Sequence, residues 1–247
     1  MLHLGVNIDH VATLRQARYA KMPDVHNAEP DLLAAAREVE AAGANSITLH
    51  LRADRRHIQD ADVYLLKKEL LVKLNLEMGN TPEILDIALE IQPDFACLVP
   101  ENREEITTEG GLDVINHLES LTQTTARLKA NGTLVSFFVD PILDHIYAAA
   151  DCGADMVELH TGTFANYQGD ERNVEVARLA AAATLAQSLG LQVNAGHGLT
   201  TDNLRDLFAV PHLAELNIGH HLISRSITVG LRRAIGEMLI VMKTYQA

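Results

Sequence analysis

Apolar residues along this chain fall into short, unbroken or alternating runs separated by longer stretches in which they recur every three or four positions. That rhythm predicts strand and helix in alternation from one end to the other. The short runs lie at 3–8, 46–51, 72–76, 95–99, 133–139, 156–159, 191–195 and 215–218. Between them, Pro30-Asp31 opens a helix that places Leu32, Ala36 and Val39 on one face and stops at Gly43. Thr81-Pro82-Glu83 opens another, with Thr81 as N-cap and Pro82 at the first helical position. Val114, Leu118, Leu121 and Leu128 mark a third, and an alanine-rich helix runs to Gly190. Ile223, Ile227, Leu231, Ile235 and Leu239 read as the buried stripe of one last helix, and the stretch from the first strand to Glu29 as a polar loop. Eight strand-helix units predict an α/β fold, a single (β/α)8 TIM barrel with additional short helices spanning 1–247 as one domain. An open, doubly wound sheet is the alternative architecture.

Composition adds limits. With 247 residues, 47% of them apolar, the chain can bury a large core, yet it holds no apolar run of the ~18 residues needed to span a membrane. Its start lacks a basic segment followed by an apolar one, and Cys97 and Cys152 propose neither a disulfide framework nor a zinc site, so a cytoplasmic protein without membrane attachment is expected. A net charge of -13 and the absence of Trp oppose nucleic-acid binding.

Against that negative background, the exit of the second strand carries His50, Arg52, Arg55, Arg56 and His57. Ligands of parallel α/β proteins sit beyond the carboxyl ends of the strands, so this cluster predicts an anionic ligand, phosphate first of all. His50, Glu77, His160, His197 and His220 each follow an apolar strand, and a barrel would turn all of them towards one mouth. Any one of these histidines more often satisfies a backbone group than performs chemistry; the set argues for a site. Asp140 shares the position, but Pro141 behind it also fits a plain helix start. Glu77 follows Leu74-Asn75-Leu76, whose burial would raise its pKa towards that of a useful base, while an ion pair with Arg52 or Arg55 is the plainer reading. Gly196-His197-Gly198 permits close backbone approach beside an imidazole, with a helix N-terminus expected just beyond to receive phosphate. No nucleotide-binding glycine fingerprint is present. The strand exits also offer His50, Glu77, His160 and His197 as metal donors, which leaves a metal-dependent hydrolase open on the residues alone.

Longer motifs narrow the choice. Gly5-Val6-Asn7-Ile8-Asp9-His10-Val11-Ala12-Thr13-Leu14-Arg15, Thr48-Leu49-His50-Leu51-Arg52-Ala53-Asp54-Arg55-Arg56-His57-Ile58, Asn75-Leu76-Glu77-Met78, Thr107-Thr108-Glu109-Gly110-Gly111 and Val193-Asn194-Ala195-Gly196-His197-Gly198-Leu199 occur in order, followed by Leu216-Asn217-Ile218-Gly219-His220. In these the chain resembles the pyridoxine 5'-phosphate synthase family over nearly its whole length. The resemblance implies condensation of 1-deoxy-D-xylulose 5-phosphate with 3-amino-2-oxopropyl phosphate to pyridoxine 5'-phosphate, phosphate and water. It implies no redox cofactor and no metal, and a homo-octamer acting on small phosphorylated substrates. It implies His50, Glu77 and His197 as acid/base residues. Asn7, Arg18, Gly198, Gly219 and His220 would contact the aminoketone phosphate, and Asp9, His10, Arg52, His57 and Thr107 the deoxyxylulose phosphate. The stretches 19–29 and 163–173 depart from the family pattern in length and composition.

Overall fold

Eight parallel strands pair in chain order and close into a barrel. In this computed structural model, which describes residues 1–22, 25–101 and 110–246, they are β1 (His3–Asn7), β2 (Ser46–His50), β3 (Lys73–Met78), β4 (Phe95–Leu98), β5 (Leu134–Val139), β6 (Met156–His160), β7 (Gln192–Gly196) and β8 (Leu213–Ile218). The ring shuts where β1 pairs with β8, Gly5 beside Asn217. The helices are α1 (Asp9–Tyr19), α2 (Leu32–Ala42), α3 (Asp60–Glu69), α4 (Pro82–Ile91), α5 (Leu118–Ala130) and α6 (Leu143–Asp151), then α7 (Gly162–Asn166), α8 (Gly169–Ser188), α9 (Leu204–Leu207), α10 (His220–Val229) and α11 (Leu231–Met242). The expected TIM barrel is therefore the observed fold. Among the described residues no helix is long and apolar enough to cross a membrane.

Local chemistry sets the helix starts. Asp31 accepts from the Leu33 and Ala34 N–H groups at the head of α2, and Thr81 accepts from Ile84 N–H with Pro82 beginning α4. Two expectations fail. The presumed loop after β1 is the helix α1, which buries only Asp9, Val11 and Ala12 and so shows no apolar stripe to betray it. The presumed last helix is two, because Gly230 turns the chain with φ 84° between α10 and α11. Ile227 consequently points outward at 80% exposure, whereas Ile235 is buried as expected, Ile223, Leu231 and Leu239 pack partly buried against the core, and Leu222 and Met238 join it.

Strand alternation divides the molecule into two unlike interiors. Outward-facing Leu4, Val6, Ile47, Leu49, Leu74, Leu76, Val135, Phe137, Val157, Leu159, Leu216 and Ile218 are buried between sheet and helices in one apolar core. Each such side chain contributes about 1.5–3 kcal/mol on burial. The alternate positions face the lumen, and most are polar: Ser46, Thr48, Asn75, Ser136, Glu158, Asn194, Glu215 and Asn217, all buried. Most parallel barrels fill this space with branched aliphatics. Here hydrogen bonds link several of the groups instead, while Asn75 Oδ1 and Ser136 Oγ stay buried without a hydrogen-bond partner among the described residues. Ser46 Oγ donates to Glu215 Oε1 at 3.0 Å, Thr48 Oγ1 to Asn217 Oδ1 at 3.1 Å, and Asn217 Nδ2 to Glu158 Oε2 at 2.6 Å. Gly5 makes room for them, since a Cβ there would land on the Asn217 carboxamide oxygen and 2.8 Å from Ser46 Oγ.

Gly5→Ala should therefore destabilise the protein by about 1–3 kcal/mol through overpacking and the loss of lumen hydrogen bonds. Denaturant unfolding checks this, and a midpoint equal to wild type would show that the lumen yields without cost.

Candidate active site

The inward row of β1 to β4 leads straight to a cluster at the strand exits. Asp9 begins α1, where its carboxylate meets the helix N-terminus and accepts from Asn7 Nδ2 at 2.8 Å and from the His50 backbone N–H at 2.9 Å. The loop after β2 is thereby tied to the head of α1. His50 itself is buried, with Nε2 3.1 Å from Glu101 Oε1 and Nδ1 3.9 Å from Glu77 Oε2. Glu101 also accepts from Ala53 N–H at 3.1 Å and Gly79 N–H at 3.2 Å. Burial alone would raise the Glu101 pKa, but the bonds from His50 and Ala53 outweigh it and hold this carboxyl below its ordinary value. An ionised Glu101 on Nε2 leaves Nδ1 of His50 facing Glu77.

Glu77 sits on the last turn of the β3 pleat, beside His50 in register. Its pKa is raised well above the ordinary carboxyl value by burial first, then by the carboxylates of Glu158 and Asp9. The plainer reading of Glu77 as the partner of Arg55 fails, because that guanidinium is committed to Asp60 at 2.5 Å and Glu83 at 2.6 Å. Glu158, one level deeper on β6, was not anticipated from the sequence. Burial pushes its pKa up to about 8 despite the bond from Asn217, and Glu215 adds to the rise. A stack of carboxyls that hold their protons near neutrality thus lies beneath the mouth. Strand alternation in Met156-Val157-Glu158-Leu159-His160 puts it on the same inward face as His160, but marks no role for it.

On the opposite side, β5, β6 and β7 end in Asp140, His160 and His197. His197 has φ 84°, a conformation that costs an L side chain of order 1–3 kcal/mol. Thr161 holds it there: its hydroxyl, 2.6 Å from both the Gly196 and His197 carbonyl oxygens, donates to them, and its N–H donates to Gly196 O at 2.9 Å. Burial, with His160 beside the ring, pushes the His197 pKa down to about 4. The rings of His160 and His197 meet edge to face at 5.1 Å. His160 Nδ1 lies 2.9 Å from Asp140 Oδ1, so Asp140 is not the plain helix start that the following proline permitted.

The remaining candidates fall in two groups. Gly219 packs against Asn7, a Cβ on it meeting Asn7 Cβ at 3.0 Å, and caps α10, so the helix N-terminus presented to an anion is that of α10 at His220. No helix starts just beyond Gly198; a turn intervenes before the four-residue α9, and Gly198 is fixed by Asn203 Nδ2 donating to its carbonyl at 3.0 Å. His10 and His220 form an edge-to-face pair at 5.0 Å. His57, whose pKa is lowered chiefly by burial, accepts the Ile58 N–H on Nδ1 at 2.8 Å, so its neutral ring offers an Nε2–H donor. Its ring lies 6.2 Å from that of His50. Arg52 is buried at 4% exposure. Arg18 is exposed on α1 with its guanidinium over the Tyr19 ring at 5.6 Å. Thr107 lies outside the described residues.

A donor set for metal does exist: Asp9, His50 and Glu77 each offer one ligand atom within 4.8 Å of the others. A proton held on Glu77 and the bonds already made by Asp9 compete with a cation for it.

Comparison with known proteins adds independent findings. The family model for pyridoxal phosphate biosynthesis protein PdxJ matches residues 4–244. A pyridoxine 5'-phosphate synthase of Akkermansia muciniphila is 58% identical over 95% of this chain and 96% of its own. Those of Idiomarina loihiensis and a Synechocystis species are 52% and 51% identical, covering 96% and 98% of both partners. Among solved structures, 3-keto-L-gulonate-6-phosphate decarboxylase from Vibrio cholerae superposes with a TM-score of 0.66 at 10% identity, covering 100% of this chain and 99% of its own, a likeness of fold alone.

The buried carboxyls make stability depend on pH. Folded Glu158 keeps its proton up to about pH 8, whereas an ordinary carboxyl releases it near 4.5, so the stability gained by holding that proton is full below 4.5 and is lost as pH rises through 8. His197 acts oppositely between its folded value of about 4 and the ordinary 6.5, which leaves pH 6.5 to 8 as the window in which the carboxyls act without it. Glu158→Gln, neutral throughout and still an acceptor for Asn217, should flatten the fall in melting temperature across that window and raise it by about 5 °C at pH 8. Parallel wild-type and variant curves in thermal scans would mean that Glu158 is already ionised in the folded protein.

Proposed function

The chain belongs to the PdxJ family of pyridoxal phosphate biosynthesis proteins, and from that premise we propose that it is a pyridoxine 5'-phosphate synthase condensing 1-deoxy-D-xylulose 5-phosphate with 3-amino-2-oxopropyl phosphate and closing the pyridine ring. The observation that carries the reading is His50 set between an ionised Glu101 and a Glu77 that holds its proton unusually tightly. Ring closure joins an amine to a ketone, expels water and phosphate and forms a carbon-carbon bond, and every step moves a proton. Glu77, whose pKa burial raises well above the ordinary carboxyl value and whose ionised form is therefore a stronger base, can take a carbon-bound proton and return one to a departing oxygen. His50 Nδ1 lies 3.9 Å from Glu77 Oε2, close enough for both groups to serve the same bound substrate. His197 serves on the other side of the ring.

The histidine shifts support the same order of events. Empty, the mouth keeps His197, His57 and His10 neutral by burial. A phosphate dianion beside such rings favours their protonated forms, so substrate binding itself supplies the acid that phosphate and water need in order to leave. The Asn7, Gly219 and His220 group at the head of α10 would receive the aminoketone phosphate, and Arg52 with His57 the deoxyxylulose phosphate. The two buried free cysteines and the absence of a spanning helix among the described residues support a cytoplasmic setting. Exposed Leu14, Ile227 and Ile240 offer apolar surface for the homo-octamer that the family resemblance implies.

Mixing the purified protein with both substrates should yield pyridoxine 5'-phosphate, with turnover unchanged by a chelator. Chelator-sensitive turnover would favour the metal reading of the Asp9, His50 and Glu77 donor set, and phosphosugar binding without turnover a binding protein. Glu77→Gln keeps shape and hydrogen-bonding capacity but removes basicity, so turnover at saturation should drop by about a hundred- to ten-thousand-fold with the melting temperature little changed. Near-normal turnover in that variant would remove Glu77 from the chemistry.

A further inference from the structure

The chemistry above uses His197 but leaves unexplained why its neighbour His160 is bound to a carboxylate. Asp140 stands at the exit of β5 with its two oxygens divided: Oδ1 lies 2.9 Å from His160 Nδ1, and Oδ2 accepts the Gly111 N–H at 3.0 Å. Gly111 fits closely, since a Cβ there would collide with the backbone of Val139 and Asp140. Hydrogen bonding from His160 is the largest influence on Asp140 and, with the Gly111 N–H, outweighs burial, so the carboxyl stays ionised well below neutrality. An ionised carboxylate can only accept, so Nδ1 of His160 must carry the hydrogen. The unprotonated Nε2 of a neutral ring then points past Gly162, where a Cβ would strike it and come within 3.2 Å of His197 Cδ2. Phe138, 5.1 Å from His160 and 6.4 Å from His197, closes the side of both rings. The charged and titratable groups acting on this pair are Asp140 from β5, His145 from α6 and the two histidines on each other.

We propose that Asp140 is a positioning residue: by fixing the Nδ1–H tautomer and the plane of His160, it sets the ring against which the strained His197 is held for catalysis. The arrangement has three supports. Thr161 clamps the His197 backbone, the His160 and His197 rings meet edge to face, and Asp140 locks His160 in turn. Removing the carboxylate does not merely delete a bond. In Asp140→Asn the amide oxygen can keep the Gly111 N–H only by turning its NH2 towards His160, which must then accept on Nδ1 and carry its hydrogen on Nε2. The polarity of the Nε2 end of the ring, beside Gly162 and His197, is thereby reversed.

The proposal rests on the synthase reading for its kinetic arm but not for its spectroscopic one. In the full-length wild-type protein, 15N shifts of His160 should report hydrogen on Nδ1; in Asp140→Asn they should report it on Nε2, and the titration of His197 should move. Turnover should fall about a hundred-fold, less than the roughly ten-thousand-fold loss from a wrong tautomer of a directly acting histidine because His160 acts through His197, with the Michaelis constants of both substrates within about three-fold and the melting temperature near wild type. Unchanged turnover, or a loss of turnover that only tracks a loss of folded protein, would overturn it. Should Asp140→Asn fail to fold, His160→Asn keeps a donor to Asp140 while removing the ring beside His197, and should show the same loss of turnover without loss of affinity; wild-type turnover there would equally overturn the proposal. If the wild-type protein makes no pyridoxine 5'-phosphate, the synthase reading fails separately, and positioning is then decided by whether the His160 tautomer and His197 titration respond to Asp140→Asn, an unmoved pair rejecting it.

Discussion

One carboxamide joins the two halves of this barrel. Asn217 on β8 accepts from Thr48 on β2 and donates to Glu158 on β6, so it spans the lumen where most barrels of this type interlock aliphatic side chains. A buried amide without partners would cost several kcal/mol, and a buried carboxyl without them more, so each of these residues is tolerable only because the others are in place. The network depends on register. A slip by one residue would turn Thr48, Glu158 and Asn217 into the aliphatic layer and bring leucines inward, which the apolar seal between sheet and helices forbids. The outer core thus supplies most of the stability, and the lumen specifies which single arrangement that stability selects.

The same lumen prepares the mouth for chemistry. It is dry enough to disfavour charge yet offers few cations, so carboxyls stacked along it hold protons far longer than they would in water. Glu77 is the uppermost of the stack and opens onto the site. Its raised pKa is partly inherited from Glu158 beneath it, which links a residue with no direct view of the mouth to the proton affinity of one that has it. The cost falls on stability at alkaline pH, a trade frequent at sites whose groups must titrate near neutrality.

Much of the fold was legible because parallel strands and amphipathic helices differ in period, and the barrel follows from eight repeats of that contrast. Helix α1 was not, since its sequence is polar almost all round and its short buried face is fixed by packing against α2, α10 and β2 rather than by pattern. The break at Gly230 was visible as a glycine but not as a turn, because apolar residues continue at helical spacing on both sides of it. In the site, strand-exit histidines and Glu77 stood out by position. Glu101 and Glu158 did not: one follows Val99-Pro100 in an irregular segment, the other sits within a strand, and only three-dimensional neighbours distinguish them from ordinary surface or structural carboxylates. Asp140 was legible as a residue but not as a role, for nothing in sequence connects it to a histidine twenty positions away.

How an acidic protein can gather the two phosphorylated substrates proposed for it follows from distance. At physiological ionic strength exposed charges are screened beyond about 8 Å, so the net charge of -13 is scarcely felt inside the mouth, where the local charges decide. Of the basic residues there, Arg55 is already neutralised by Asp60 and Glu83 and serves to brace the loop after β2. Part of the positive charge available to an incoming phosphate is latent in histidines that burial keeps neutral. On the proposed function, each phosphate that enters would convert some of that latent charge into actual charge by drawing protons onto the rings. Binding would then be coupled to proton uptake, with the protons held where the leaving water and phosphate need them.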